Sequence, residues 1–163
     1  YVNKQTNNLI FSEVIYGENG NFNAIIKDKI PSLDWNFTNE ESTISGYLCK
    51  KVTLNYFGRN YIIWYTEEIP TAFGPWKFNN LPGLIISLNT VDNKISFNLK
   101  KIQFNTDFKI TQPTDGSLIP KEKYIQYKKE AVDLYISKLK ARLPEGVRIN
   151  VNNIEDSNLE IIE

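Results

Sequence analysis

The chain has 163 residues, 41% of them hydrophobic and 13% aromatic, which is enough to bury a core and suits one domain over 1–163. Its 19 basic residues balance 19 acidic ones, so no bulk field draws it to nucleic acid or to an anionic membrane. It has no His and a single cysteine, Cys49, which excludes an internal disulfide, Cys–His and Ser–His–Asp catalysis, and nearly all zinc sites.

The chain opens at Tyr1 and contains no Met, as expected of a mature or trimmed form that has lost a targeting segment. No run of about 18 apolar residues is present to span a bilayer. Leu9 to Tyr16 reads as a strand that is apolar on both faces, with Leu9, Phe11 and Ile15 on one and Ile10 and Val14 on the other. Gly17-Glu18-Asn19-Gly20 is a turn signal. The alternation of Phe22, Ala24 and Ile26 predicts a second strand. Pro31 to Glu41 is polar, without a clean period, and reads as a connection holding at most a short strand.

Ile44 to Tyr56 is expected to be one strand, with Leu48, Val52, Leu54 and Tyr56 on its core face. Gly58-Arg59-Asn60 is the expected turn, and Tyr61 to Thr66 the β-rich return strand. Cys49 falls inside the first of these strands and is expected to be a small buried hydrophobe. Glu67 to Leu81 forms a long loop. Gly83 to Leu88 resumes as a strand, with Leu84 and Ile86 on one side and Ile85 on the other. Asp92-Asn93 marks a turn and Lys94 to Phe104 another strand, which Thr106 to Thr111 extends. A helix begins at Pro120, where a missing N–H is tolerated. Tyr124, Tyr127, Ala131, Leu134, Tyr135 and Leu139 give it one apolar stripe, and Pro144 and Gly146 stop it. Val147 to Val151 is a candidate last strand.

Strands in succession followed by one helix predict a mainly β, α+β fold. The expected form is a twisted antiparallel meander or half-barrel with the C-terminal-region helix packed on it.

The loop from Glu67 to Gly83 is the segment most suited to function, because loops of this length in compact domains are packed or functional. Trp76 and Phe78 flank Lys77, so two rings can point one way and a cation the other. Two readings are open: a surface for an apolar or peptide ligand, or a folded-back loop whose rings plug one end of the core. Arg59 reads most simply as a solvated turn residue. Together with Tyr65, Trp76, Lys77, Phe78 and Leu81 it makes up the candidate binding set. Glu67 and Glu68 are adjacent carboxylates that a strand would turn to opposite sides, so they do not form a catalytic pair. No phosphate loop, Walker pattern or dinucleotide fingerprint is present, and no catalytic residue, metal ligand or cofactor is assigned.

Several motifs resemble those of the GLPGLI family. They are Trp35 followed by Ile44-Ser45-Gly46-Tyr47-Leu48-Cys49-Lys50-Lys51, then Gly58-Arg59 and Trp64-Tyr65-Thr66-Glu67-Glu68-Ile69-Pro70. Gly74-Pro75-Trp76-Lys77-Phe78 then leads into Leu81-Pro82-Gly83-Leu84-Ile85, with Asn80 in place of the family's first Gly. The closing Asn158-Leu159-Glu160 is a weaker match. The resemblance implies an exported Bacteroidota protein with a removed signal peptide, acting beyond the inner membrane, in a family with no catalytic residues assigned. The function expected is a non-catalytic envelope protein that binds a peptide, a lipid-like ligand or a protein partner. The alternatives are a hydrolase or modifying enzyme using carboxylates or Lys77, and a structural surface protein.

Overall fold

The computed structural model of the protein describes residues 1–104 and 109–144. In chain order the elements are β1 (Val2–Asn3), β2 (Asn8–Gly17), β3 (Gly20–Lys29), β4 (Asn36–Ile44), β5 (Tyr47–Tyr56), β6 (Arg59–Thr66), β7 (Leu84–Thr90), β8 (Ser96–Asn98), β9 (Ser117–Ile119) and α1 (Lys121–Lys140). The class is mainly β, α+β, as expected. The strands divide into two sheets, ordered β1-β2-β3-β9 and β4-β5-β6-β7-β8, and among the described residues neither closes into a barrel. The contacts group these elements into two compact units.

The first unit holds β1, β2, β3, β9 and α1. β2 and β3 pair without a shift from Asn8↔Lys29 to Gly17↔Gly20, around a two-residue turn. The apolar alternation of Phe22, Ala24 and Ile26 buries Ala24 and Ile26 together with Ile15 and Ile119. β9 joins β3 in parallel over Ala24–Ile26, a pairing too short to be read from three residues. Pro120, the expected first residue, is the N-cap of α1, so the helix begins one position later, at Lys121. The helix rests on this sheet by its first half: Tyr124 meets Phe11 and Tyr127 meets Phe22, both edge-to-face. Lys121 and Lys128 pin it by ion pairs to Asp28 and Glu13. None of its 20 residues is fully buried.

The second unit is a five-stranded antiparallel meander, β4 to β8. The expected strand from Ile44 to Tyr56 is broken at Ser45-Gly46, whose φ angles of 52° and 86° make a tight hairpin turn. The polar segment before it is therefore a full strand, β4, paired to β5 with a register shift between Phe37 and Glu41. Its face is mostly exposed, which is why no hydrophobic period announced it. The next turn is Phe57-Gly58 (φ 47° and 68°), and Arg59 opens β6 opposite Tyr56. Leu48, expected in the core, is exposed, while Cys49 is buried. In β7, Ile85 pairs with Tyr65 and Ser87 with Trp64, leaving Ile86 as an inserted residue. That bulge lets Ile85 and Leu88 share one core despite their odd spacing. The strand expected from Lys94 to Phe104 pairs only over Ser96–Asn98. Residues 109–111 carry no regular structure; residues 106–108 of the expected extension, Gly146, the candidate strand Val147–Val151 and Asn158–Glu160 lie outside the described residues.

Burial pushes the Cys49 thiol above its ordinary pKa, and its Sγ donates to the Tyr47 carbonyl at 3.4 Å. A buried neutral thiol is a poor nucleophile. Native Cys49 should react with an aromatic disulfide reagent at least about a hundredfold more slowly than in denatured protein. Comparable rates would show that the strand opens freely.

Candidate functional site

The segment between β6 and β7 is ordered by its own backbone. Leu84 N–H donates to the Ile69 carbonyl at 3.0 Å, Asn80 N–H to Ala72 at 2.9 Å and Phe78 N–H to Pro75 at 3.1 Å. Phe73 and Asn79 form an isolated bridge. Gly83 lies so close to β6 that a Cβ there would sit 1.9 Å from the Thr66 carbonyl oxygen, so no larger residue fits. Asn80 has φ 64°. That region suits Gly and, among other residues, Asn best, which accounts for Asn standing where the resembling family has Gly.

This folding carries Phe78 into the core at 1% exposure. Its ring lies 4.9 Å from Tyr61, 5.5 Å from Trp76, 6.1 Å from Tyr56 and 6.3 Å from Trp35, centroid to centroid. Trp35 fastens the arrangement by donating Nε1–H to the Asn79 carbonyl at 3.1 Å. Tyr65, Phe78 and Leu81 belong to one buried cluster, with Trp76 packed against it. The structure thus brings these four of the candidate residues together as core. Lys77 is buried, with its Nζ 5.5 Å from the centroid of the Trp76 ring. The cation lies against a ring and does not point away from it, because Trp76 has φ 52° and breaks the extended alternation. Arg59 is buried, not solvated, at 5% exposure, with Nη1 3.8 Å from Asp92 Oδ2. Burial holds the Tyr65 phenol above its ordinary pKa, with Glu67 adding to the rise.

The carboxylates near the loop are engaged separately. Glu67 pairs with Lys50 at 2.8 Å, which raises the Lys50 pKa, and Glu68 accepts the Leu48 N–H at 2.8 Å. Among the described residues no three acidic or cysteine side chains are placed to share a metal.

The first unit holds a feature that sequence reasoning missed. A hollow of about 350 Å³ runs between β2 and α1, lined by Glu13 to Tyr16 and by helix residues from Tyr127 to Lys138, including Ala131, Val132, Leu134 and Tyr135. A second hollow of about 780 Å³ shares Ile15, Tyr16, Tyr127 and Leu134 with it and continues around the β2–β3 turn. At the wall of the first, Glu13 accepts from Tyr124 Oη at 2.5 Å and from Lys128 Nζ at 2.7 Å. Its charge is thereby compensated, and the remaining lining is largely apolar. Among the described residues, α1 meets the sheet through Tyr124 and Tyr127 and its second half borders the hollow. The signal available beforehand was the apolar character of β2 on both faces.

A family model described as a protein of unknown function (Porph_ging) matches residues 58–87. That stretch contains Gly58-Arg59 and the whole loop, and the match assigns no activity. No curated protein matches the chain. Among solved structures, PNGF-II in space group C2 aligns with a TM-score of 0.51 at 16% identity, covering 80% of this chain and 24% of that one. PNGF-II in space group P21 aligns at 0.46 and 17%, covering 76% and 25%. The chain spans about a quarter of the length of PNGF-II, and the likeness is one of fold.

Truncating Phe78 to Ala should cost about 3–5 kcal/mol and lower the melting temperature by on the order of ten degrees. Gly83→Ala should cost at least as much, whereas Asn80→Gly should stay within about 1 kcal/mol of the parent. Thermal melts of the three variants decide this, and an unchanged melt for Gly83→Ala would mean that the close approach to Thr66 does not hold the loop.

Proposed function

We propose that this protein is a non-catalytic binding protein whose ligand enters the hollow between β2 and α1, and that the aromatic loop of the other unit serves packing. The observation that carries the reading is the half of α1 that no described segment covers, where Ala131, Val132, Leu134 and Tyr135 line the hollow together with Ile15 and Tyr127. A concave, mostly apolar surface with few polar groups is the ordinary form of a ligand site, and about 350 Å³ lies within the usual size range. The six residues first singled out from sequence are largely spent on the core, with Arg59, Tyr65, Lys77, Phe78 and Leu81 all buried. The enzymatic alternative has less support, because Glu67 and Glu68 are held by different partners.

From the resemblance alone, we also propose that the protein works outside the inner membrane. No described helix is long and apolar enough to cross one. Recovery of the native protein from the cytoplasm of its host would contradict that location.

Titration with the fluorescent apolar dye N-phenyl-1-naphthylamine tests the site. Leu134→Asp and Ala131→Trp should each weaken dye binding at least about tenfold, equivalent to roughly 1.4 kcal/mol, with little change in melting temperature because both positions are partly exposed. Binding that survives both changes, or no dye binding to the parent protein, would refute the reading.

A further inference from the structure

β2 is paired with β3 over its whole length, but among the described residues its other edge is covered only at one end. β1 pairs with Asn8 and Leu9, and Tyr1 exchanges both bonds with Ile10: Ile10 N–H to the Tyr1 carbonyl at 2.8 Å, and the Tyr1 amino group to the Ile10 carbonyl at 2.9 Å. In an antiparallel strand, alternate residues turn their N–H and C=O groups toward the same neighbour. The β2–β3 register is unbroken, so Ser12, Val14 and Tyr16 direct theirs outward, in line with Ile10. Among the described residues no strand takes up these groups. Natural sheets guard such edges with Lys, Pro, a bulge or an inward-pointing charge; this stretch of β2 has none of the first three, and its one charge, Glu13, is paired with Lys128. Val14 and Tyr16 are instead exposed and apolar.

The hollow follows this edge. Four consecutive residues, Glu13 to Tyr16, line it, and since only alternate strand residues share a face, a surface touching four in a row runs along the strand's side. We infer that the site takes an extended peptide, which adds to β2 as an antiparallel strand and turns alternate apolar side chains toward Ala131, Leu134 and Tyr135. This rests on the reading of the hollow as the binding site and names its ligand class. Such strand addition combines main-chain hydrogen bonds for affinity with side-chain pockets for selection. Covering Ser12, Val14 and Tyr16 requires about six extended residues. A second copy of the chain fits less well. Its β2 would offer Glu13, already held by Tyr124 and Lys128, and Ile15, already buried, and so nothing to fill the hollow.

The test uses a displayed library of seven-residue peptides with apolar residues at positions two, four and six. Enriched peptides should displace the naphthylamine dye and slow amide exchange of Ser12, Val14 and Tyr16 about tenfold or more. Ser12→Pro, at a position outside the lining of the hollow, removes one outward N–H and leaves the β2–β3 ladder intact. It should weaken peptide binding about tenfold while dye affinity stays at the parent value. If that variant loses its fold, N-methylation of the peptide amides facing β2 makes the same test from the other side. A library that yields no binder to protein that still binds dye overturns the peptide proposal and leaves the hollow standing as a ligand site. Failure of dye and peptides alike removes both. Peptide binding that is indifferent to both backbone changes overturns strand addition. So does strong protection of those three amides in peptide-free protein, which would mean that this chain or a second copy already covers the edge.

Discussion

The close contact of Gly83 with the Thr66 carbonyl sets the second unit's architecture. With hydrogen as its side chain, Gly83 lets the chain return against the end of the strand it left at Thr66. The segment between them is thereby confined to a closed loop, tied by Leu84 N–H to Ile69. Within that loop the inward ring is Phe78, and four other aromatic residues converge on it. A segment rich in Pro, Gly and large rings has the composition of a binding loop, yet its geometry is that of a core plug. Burial of a large ring stabilises by about 2 kcal/mol or more, and the three prolines Pro70, Pro75 and Pro82 reduce the freedom lost on ordering.

The first unit follows a different logic. Its helix carries no side-chain N-cap hydrogen bond and no fully buried residue. It is held by two edge-to-face ring pairs and by lysines reaching to Asp28 and Glu13. Ion pairs this exposed contribute little, about 0–1 kcal/mol each, so the ring contacts fix the helix and act only on its first two turns. An amphipathic helix anchored at one end leaves apolar surface at the other, and the hollow along β2 is that surface. On the proposed function, fold stability and binding thus fall to different segments of the chain.

The sequence made the regular strands legible. The alternation in Phe22–Ile26, the β-branched and aromatic run Tyr61–Tyr65 and the stripe on α1 are local patterns, and the structure follows them. Strand ends were less legible. Ser45-Gly46 is a weaker hairpin signal than Asn-Gly, so β4 and β5 read as a connection and a single strand. The bulge at Ile86 breaks the expected alternation and brings Ile85 and Leu88 into one core, and an inserted residue leaves no trace in composition. Burial of Arg59 in its turn and of Lys77 between two rings was likewise hidden, since charged side chains in turns and loops ordinarily stay in solvent. The hollow was invisible for a plainer reason: Glu13 and Lys128 are 115 positions apart, and no local pattern reports which helix face a distant strand will leave bare.

Chemical-shift mapping of the labelled protein during titration with the naphthylamine dye tests this division most directly. The account predicts that backbone and side-chain signals move for Glu13–Tyr16 and for the α1 residues between Tyr127 and Lys138, while those of Trp76, Phe78 and Leu81 stay in place. Shifts confined to the segment between Thr66 and Leu84 would contradict it and return the binding role to the aromatic loop.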